Sequence, residues 1–119
     1  MEERGTLKVA YYKLNIDTRT TEMKVIEIAD TLEEMQKLAG EYVDVYPMEF
    51  EHNIILMYNK EGKFDSLHMS ALVAADKRLS PEVICEDFFV CRASGEKIVS
   101  IEDDDMEYLK EHIIPIQYA

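Results

Sequence analysis

Glycine is scarce and dispersed in this 119-residue chain: Gly5, Gly40, Gly62 and Gly95 never cluster. A phosphate-cradling loop needs glycines at short, fixed spacing. Neither GxGxxG nor GxxxxGK[ST] occurs, which argues against an NTPase or a dinucleotide enzyme. Cysteine is sparser still, with Cys85 and Cys91 alone, and there is no CxxC or HExxH. His52, His68 and His112 stand at no recognised metal spacing from a cysteine or from one another. The expectation is therefore no metal and no cofactor. No nucleophile–base pair is marked, so no catalytic residue and no enzyme activity are expected. No apolar run approaches the ~18 residues of a membrane span. The opening MEERGTLKVA lacks the apolar stretch of a secretory signal, so a cytoplasmic protein that makes no membrane contact is expected.

Basic residues are also few. Thirteen Lys and Arg face 25 Asp and Glu, a net charge of −12. The imbalance is uneven. Residues 1–24 hold five bases and four acids (+1), so residues 25–119 carry −13. Such a surface repels nucleic acids and anionic membranes. It allows a basic protein partner, such as a nuclease, while the plainer reading is an acidic surface kept for solubility.

What is present is an ordinary globular balance, 47% hydrophobic and 32% charged, enough for one domain over residues 1–119 with its own core. TLKVAYYKL (6–14) and EMKVIEIA (22–29) are rich in β-formers and flank the turn-like NIDTRTT, so a hairpin is predicted. Asp30 or Thr31 caps a short helix in which Leu32, Met35, Leu38 and Ala39 recur at helical spacing, and Gly40 ends it. YVDVYPM (42–48) alternates and stops at Pro47. NIILMYN (53–59) is apolar throughout, which predicts a strand covered on both faces. NKEGK turns at Gly62. Leu67, Ala71, Leu72 and Ala75 allow a helix over 69–77, and Ser80-Pro81 is a possible helix cap. VICEDFFVCRA (83–93) is predicted as one strand with Cys85 and Cys91 on the same face, too far apart for a disulfide. A turn at Gly95, a short strand KIVSI and a last helix complete the chain. That helix starts near Ser100, turns Met106, Leu109 and Ile113 inward, and ends before Pro115. The predicted class is α+β: a mostly antiparallel sheet of five to six strands with two to three helices packed on it.

Three strings carry a family likeness. MKVIEIADTLEEMQKLAGEYVDVYPM, IILMYNKEGK and EDFFVCRASGEKIVSI, the last before an acidic helix, resemble the bacterial and phage domain of unknown function 3846. The resemblance covers roughly residues 22–112 as a core. Residues 1–21 form an N-terminal extension strand or hairpin, and 64–82 is longer and more helical than the usual link. These motifs are structural punctuation, so they speak to fold rather than activity. The resemblance implies a non-enzymatic accessory protein of a phage or mobile element. By association with small acidic proteins of that origin, it implies a counter-defence inhibitor of anti-CRISPR or anti-restriction type.

The run Glu102, Asp103, Asp104, Asp105 is the one local hint of function. Adjacent helical residues point about 100° apart, so these acids do not converge on one ion. An EF-hand loop begun at Asp103 would place Tyr108 where glycine is needed. Ser100 as N-cap with acids in the first turn is a sufficient structural account. Four acids exceed that need, which nominates Glu102, Asp103, Asp104, Asp105 and Glu107, joined by Glu86 and Asp87, as a surface for a basic partner. Glu33, Glu34, Glu49 and Glu51 could extend it into a phosphate-like array. The alternative is a small-molecule binder, such as a nucleotide-signal sponge, built from Tyr11, Tyr12, Tyr42, Tyr46, Phe88 and Arg92. A homodimer through an edge of the N-terminal hairpin is a further expectation.

Overall fold

The computed structural model describes residues 5–40, 43–49, 53–59, 69–73, 82–95 and 97–115. Its first strand, β1 (Thr6–Asn15), has apolar residues on both sides: Leu7 and Val9 enter one cluster, Ala10 and Tyr12 another. Successive side chains of a strand point to opposite faces, so this pattern demands a sheet covered on both. The other elements are β2 (Thr20–Ala29), α1 (Leu32–Ala39), β3 (Val43–Glu49), β4 (Ile54–Asn59), β5 (Met69–Val73), β6 (Glu82–Cys85), β7 (Phe88–Ser94), β8 (Lys97–Val99), α2 (Asp105–His112) and β9 (Ile113–Pro115).

Two antiparallel sheets result. The larger has six strands in the order β2-β1-β7-β4-β3, with β8 paired to β7; the smaller has the order β6-β5-β9. The class is α+β and mostly antiparallel, as expected, but it is dominated by strands, has two helices among the described residues, and divides its strands between two sheets.

The central strands β4 and β7 alternate between two cores. Ile54, Leu56, Phe88 and Val90 pack with Ala71, Val73, Ile84, Leu109 and Ile113 from the small sheet, α2 and β9. Ile55, Met57, Phe89 and Cys91 pack with Met35 and Ala39 of α1. Phe88, Phe89, Val90 and Cys91 are all fully buried. Each apolar side chain so buried contributes about 1.5–3 kcal/mol relative to exposure, which makes β7 the hub of the fold.

Helix α1 is held at both ends as the sequence predicts. Thr31 Oγ1 accepts from Glu34 N at 3.2 Å, and Gly40 N donates to Gln36 O at 2.8 Å. Gly40 has φ +96°, and a Cβ there would come within 2.9 Å of Asn59 Nδ2, so glycine is required twice over. Strand β3 does not stop at Pro47. It continues to Glu49 across a register shift, which proline tolerates because β3 is an edge strand.

Two predicted elements are corrected. Met69–Val73 is strand, not helix: it pairs with β6 on one side and β9 on the other, and Ser70 Oγ donates to Ile84 O at 3.0 Å. Short apolar runs fit either state, and here two pairing partners satisfy the backbone from both edges. Residues 64–68 and 74–81, including the proposed cap at Ser80-Pro81, lie outside the described residues, as does Gly62. The single strand over 83–93 is two strands in different sheets. Glu86 adopts φ 65° between them, turning the chain from the small sheet into the large one. Cys85 and Cys91 therefore do not share a face of one strand, and neither is in a disulfide.

Candidate acidic surface at the start of the last helix

The site is built on Arg92, a cation in the largely apolar strand β7. Arg92 Nε donates to Asp105 Oδ2 at 2.7 Å and Nη2 to Asp105 Oδ1 at 2.6 Å, a bidentate fork. Its Nη1 lies 3.2 Å from Glu102 Oε2. The Asp105 fork, with Asp105, Glu102 and Asp104 nearby, holds the Arg92 pKa above its ordinary value. Asp105 is fully buried, so it is not part of an exposed acidic face. It also accepts from Glu102 N at 2.9 Å. That bond closes the turn just ahead of α2, in the way a capping-box side chain reaches back three residues to a backbone N–H.

The expected Ser100 cap is corrected by the same geometry. Ser100 Oγ accepts from Lys8 N at 2.9 Å, and Ile101 N donates to Lys8 O at 2.8 Å. Residues 100–101 thus extend along β1 before any helix begins. Two tight turns come next, Asp105 N to Glu102 O at 3.0 Å and Met106 N to Asp103 O at 3.2 Å, and α2 starts at Asp105. Asp104 sits at the cap position without a side-chain cap bond. Met106, Leu109 and Ile113 do face inward, although Ile113 belongs to β9.

Burying Asp105 leaves Glu102, Asp103, Asp104 and Glu107 exposed. Glu102, Asp103 and Asp104 line, with Lys8 and Ile101, an open polar depression of about 430 Å³. Glu86 and Asp87 do not join them as an exposed pair. Both are partly buried at the β6–β7 turn. Asp87 accepts from Tyr11 Oη and from Leu14 N, each at 2.8 Å, so it ties that turn to β1. Burial, reinforced by this bond, pushes the Tyr11 pKa up. Of the wider acids, Glu34 pairs with Lys37 at 3.1 Å. Glu51 and the Glu49 side chain lie outside the described residues.

The residues proposed for nucleotide binding are used differently. Tyr12 stacks on Phe88, ring centroids 4.5 Å apart and 8° from parallel, inside the core. Tyr11 and Arg92 serve Asp87 and Asp105. Tyr42 and the Tyr46 side chain lie outside the described residues. So do His52 and His68; His112 stacks on Tyr108 at 4.1 Å. Among the described residues, no three His, Cys, Asp or Glu side chains are grouped to hold a metal ion, and no helix is long and apolar enough to cross a membrane.

Sequence reasoning missed Arg92 as the anchor of the acidic loop. The available signal was a lone arginine inside FFVCRA, since a cation on a buried strand requires a counter-ion. A family model described as a domain of unknown function (DUF3846) matches residues 13–114. No curated protein and no solved structure matches the chain.

Proposed function

We propose, from the premise that this chain belongs to the DUF3846 family, that it is a non-enzymatic binding protein whose acidic rim at the start of α2 receives a basic protein. The supporting observation is the division of labour within one run of acids. Asp105 carries the bidentate fork to Arg92 and caps the turn, while Glu102, Asp103, Asp104 and Glu107 stay exposed to water. Acids in the first turn of a helix stabilise it by about 0.3–1 kcal/mol each, less their mutual repulsion. Glu102 also meets Arg92 at 3.2 Å, so Asp103, Asp104 and Glu107 are the acids beyond what the start of α2 uses.

The partner in this reading is a nucleic-acid-handling bacterial enzyme such as a nuclease. The protein is then a counter-defence inhibitor of phage or mobile-element origin, of anti-CRISPR or anti-restriction type. Lysine and arginine groups that hold phosphates would meet these carboxylates instead. A nucleotide sponge is less well supported. It requires converging cations, and among the described residues the depression beside Lys8 has that one lysine against three acids.

The test is capture of host proteins by the tagged chain at low and high salt, beside the D103N/D104N/E107Q variant. Screening lengths shrink from about 10 Å at 0.1 M salt to about 3 Å at 1 M. A nuclease retained at low salt, and released both by high salt and by the variant, supports the reading. Retention indifferent to both changes refutes it.

A further inference from the structure

The two edges of the six-stranded sheet are built differently. At one end, β3 carries Pro47 and a register shift, both devices that blunt an edge. At the other end, β2 runs ten residues in unbroken register with β1 and contains neither. Asp30 N donates to Gly5 O at 3.1 Å, which marks a hydrogen-bonded pair. Alternation along an antiparallel ladder then turns the backbone groups of Met23, Val25 and Glu27 away from β1. The bonds of Lys8 and Leu14 to Ser100, Ile101 and Asp87 on the opposite edge of β1 agree with that phase.

We infer that β2 pairs with β2 of a second copy, antiparallel about a two-fold axis through Met23. The side chains select this register. Centred on Met23, Glu22 stands opposite Lys24 of the other copy, twice by symmetry, and Glu27 stands opposite Arg19 at the hairpin turn. Val25, 45% exposed, meets Thr21. Moving the centre to Lys24 would face two lysines, and moving it to Glu22 would face two glutamates. A centre at Val25 would set Glu22 and Lys24 against Ile28 and Ile26. Directly opposite charges stabilise a strand pair and like charges oppose it. Overall charge favours the same place. Residues 6–29 hold Lys8, Lys13, Arg19 and Lys24 against Asp17, Glu22 and Glu27, a net +1 in a chain of −12. The rest carries −13, so two copies repel least when they meet hairpin to hairpin. This edge is remote in sequence from the α2 acids and does not depend on their role.

The experiment is sedimentation velocity of the full chain over a dilution series from high micromolar concentration. K24E, E22K/K24E and V25P are run beside it, and far-UV circular dichroism checks the fold of each. Glu22, Lys24 and Val25 are exposed, and proline at Val25 removes an N–H that points away from β1. The wild type should be dimeric. K24E should raise the dissociation constant on the order of tenfold, E22K/K24E should restore it, and V25P should abolish the dimer. A monomeric wild type overturns the inference. So does a dimer unaffected by K24E, or a charge swap that fails to restore association.

Discussion

Arg92 and Asp105 are joined by two parallel bonds of 2.7 and 2.6 Å, with the carboxylate fully buried and the guanidinium side chain 22% exposed. One half of that pair cannot be removed cheaply: without the Asp105 carboxylate the guanidinium loses its bidentate fork and keeps the more exposed contact with Glu102 at 3.2 Å. Asp105→Asn is expected to destabilise by about 2–4 kcal/mol, read as a lower urea midpoint. Asp103→Asn and Asp104→Asn, at exposed positions, should each change stability by less than about 0.5 kcal/mol. The contrast separates the structural acid from the candidate binding acids in a single set of melts.

Asp87 holds two donors from β1, the Tyr11 hydroxyl and the Leu14 amide. Asp87→Ala leaves both without their partner, whereas Tyr11→Phe removes one donor and keeps the amide bond. The expected losses are about 2–3 kcal/mol for Asp87→Ala and about 1 kcal/mol for Tyr11→Phe by chemical denaturation.

Thr21 offers a change in the opposite direction. It is 2% exposed, and its Oγ1 has no hydrogen-bond partner among the described residues. Valine keeps the β-branched shape and removes the unsatisfied hydroxyl. Thr21→Val should stabilise by about 1 kcal/mol, seen as a raised melting temperature.

Cys91 is the first of three buried groups that shape the alkaline limb of stability. Burial, with a smaller contribution from the Asp30 charge, pushes its thiol from the ordinary 9.0 up to about 12. Below about pH 9 folded and unfolded chains both keep the proton, so stability is level with respect to this group. Between about pH 9 and pH 12 only the unfolded chain releases it, so stability falls as pH rises. Tyr11 and Tyr12, also raised by burial, add to the loss from about pH 10, their ordinary value, and carry it further into alkali. Denaturant melts across that range should show the decline, and Cys91→Ala should reduce its slope while lowering stability at neutral pH.

Glycine at position 40 is tested by Gly40→Ala. The left-handed φ and the contact with Asn59 both oppose a methyl group. A loss of about 1–2 kcal/mol is expected in the same melts, larger than that of a typical surface change.

Several local instructions are complete in the sequence. Thr31 and Gly40 bound α1 because capping and positive φ are satisfied by neighbours in the chain. The continuous apolar run at Ile54–Met57 announces a strand covered on both faces because no solvent-facing position interrupts it. Gly95, at φ 62°, turns the β7–β8 hairpin by the same local logic. The family resemblance legible in the sequence rests on such punctuation. Other decisions needed distant partners. Met69–Val73 is a strand because β6 and β9 flank it, and its five residues have no period strong enough to say so alone. VICEDFFVCRA breaks at Glu86 because Asp87 is held by Tyr11 and Leu14, more than seventy residues earlier. The acids of SIEDDDMEYL look equivalent in order, yet Arg92 holds Asp105 buried and Glu102 at the surface, and leaves Asp103, Asp104 and Glu107 in water. Charge and local geometry are carried by residues close in the chain. Which carboxylate is buried in the fold, and which stays exposed, depends on a counter-ion that only tertiary packing brings to it.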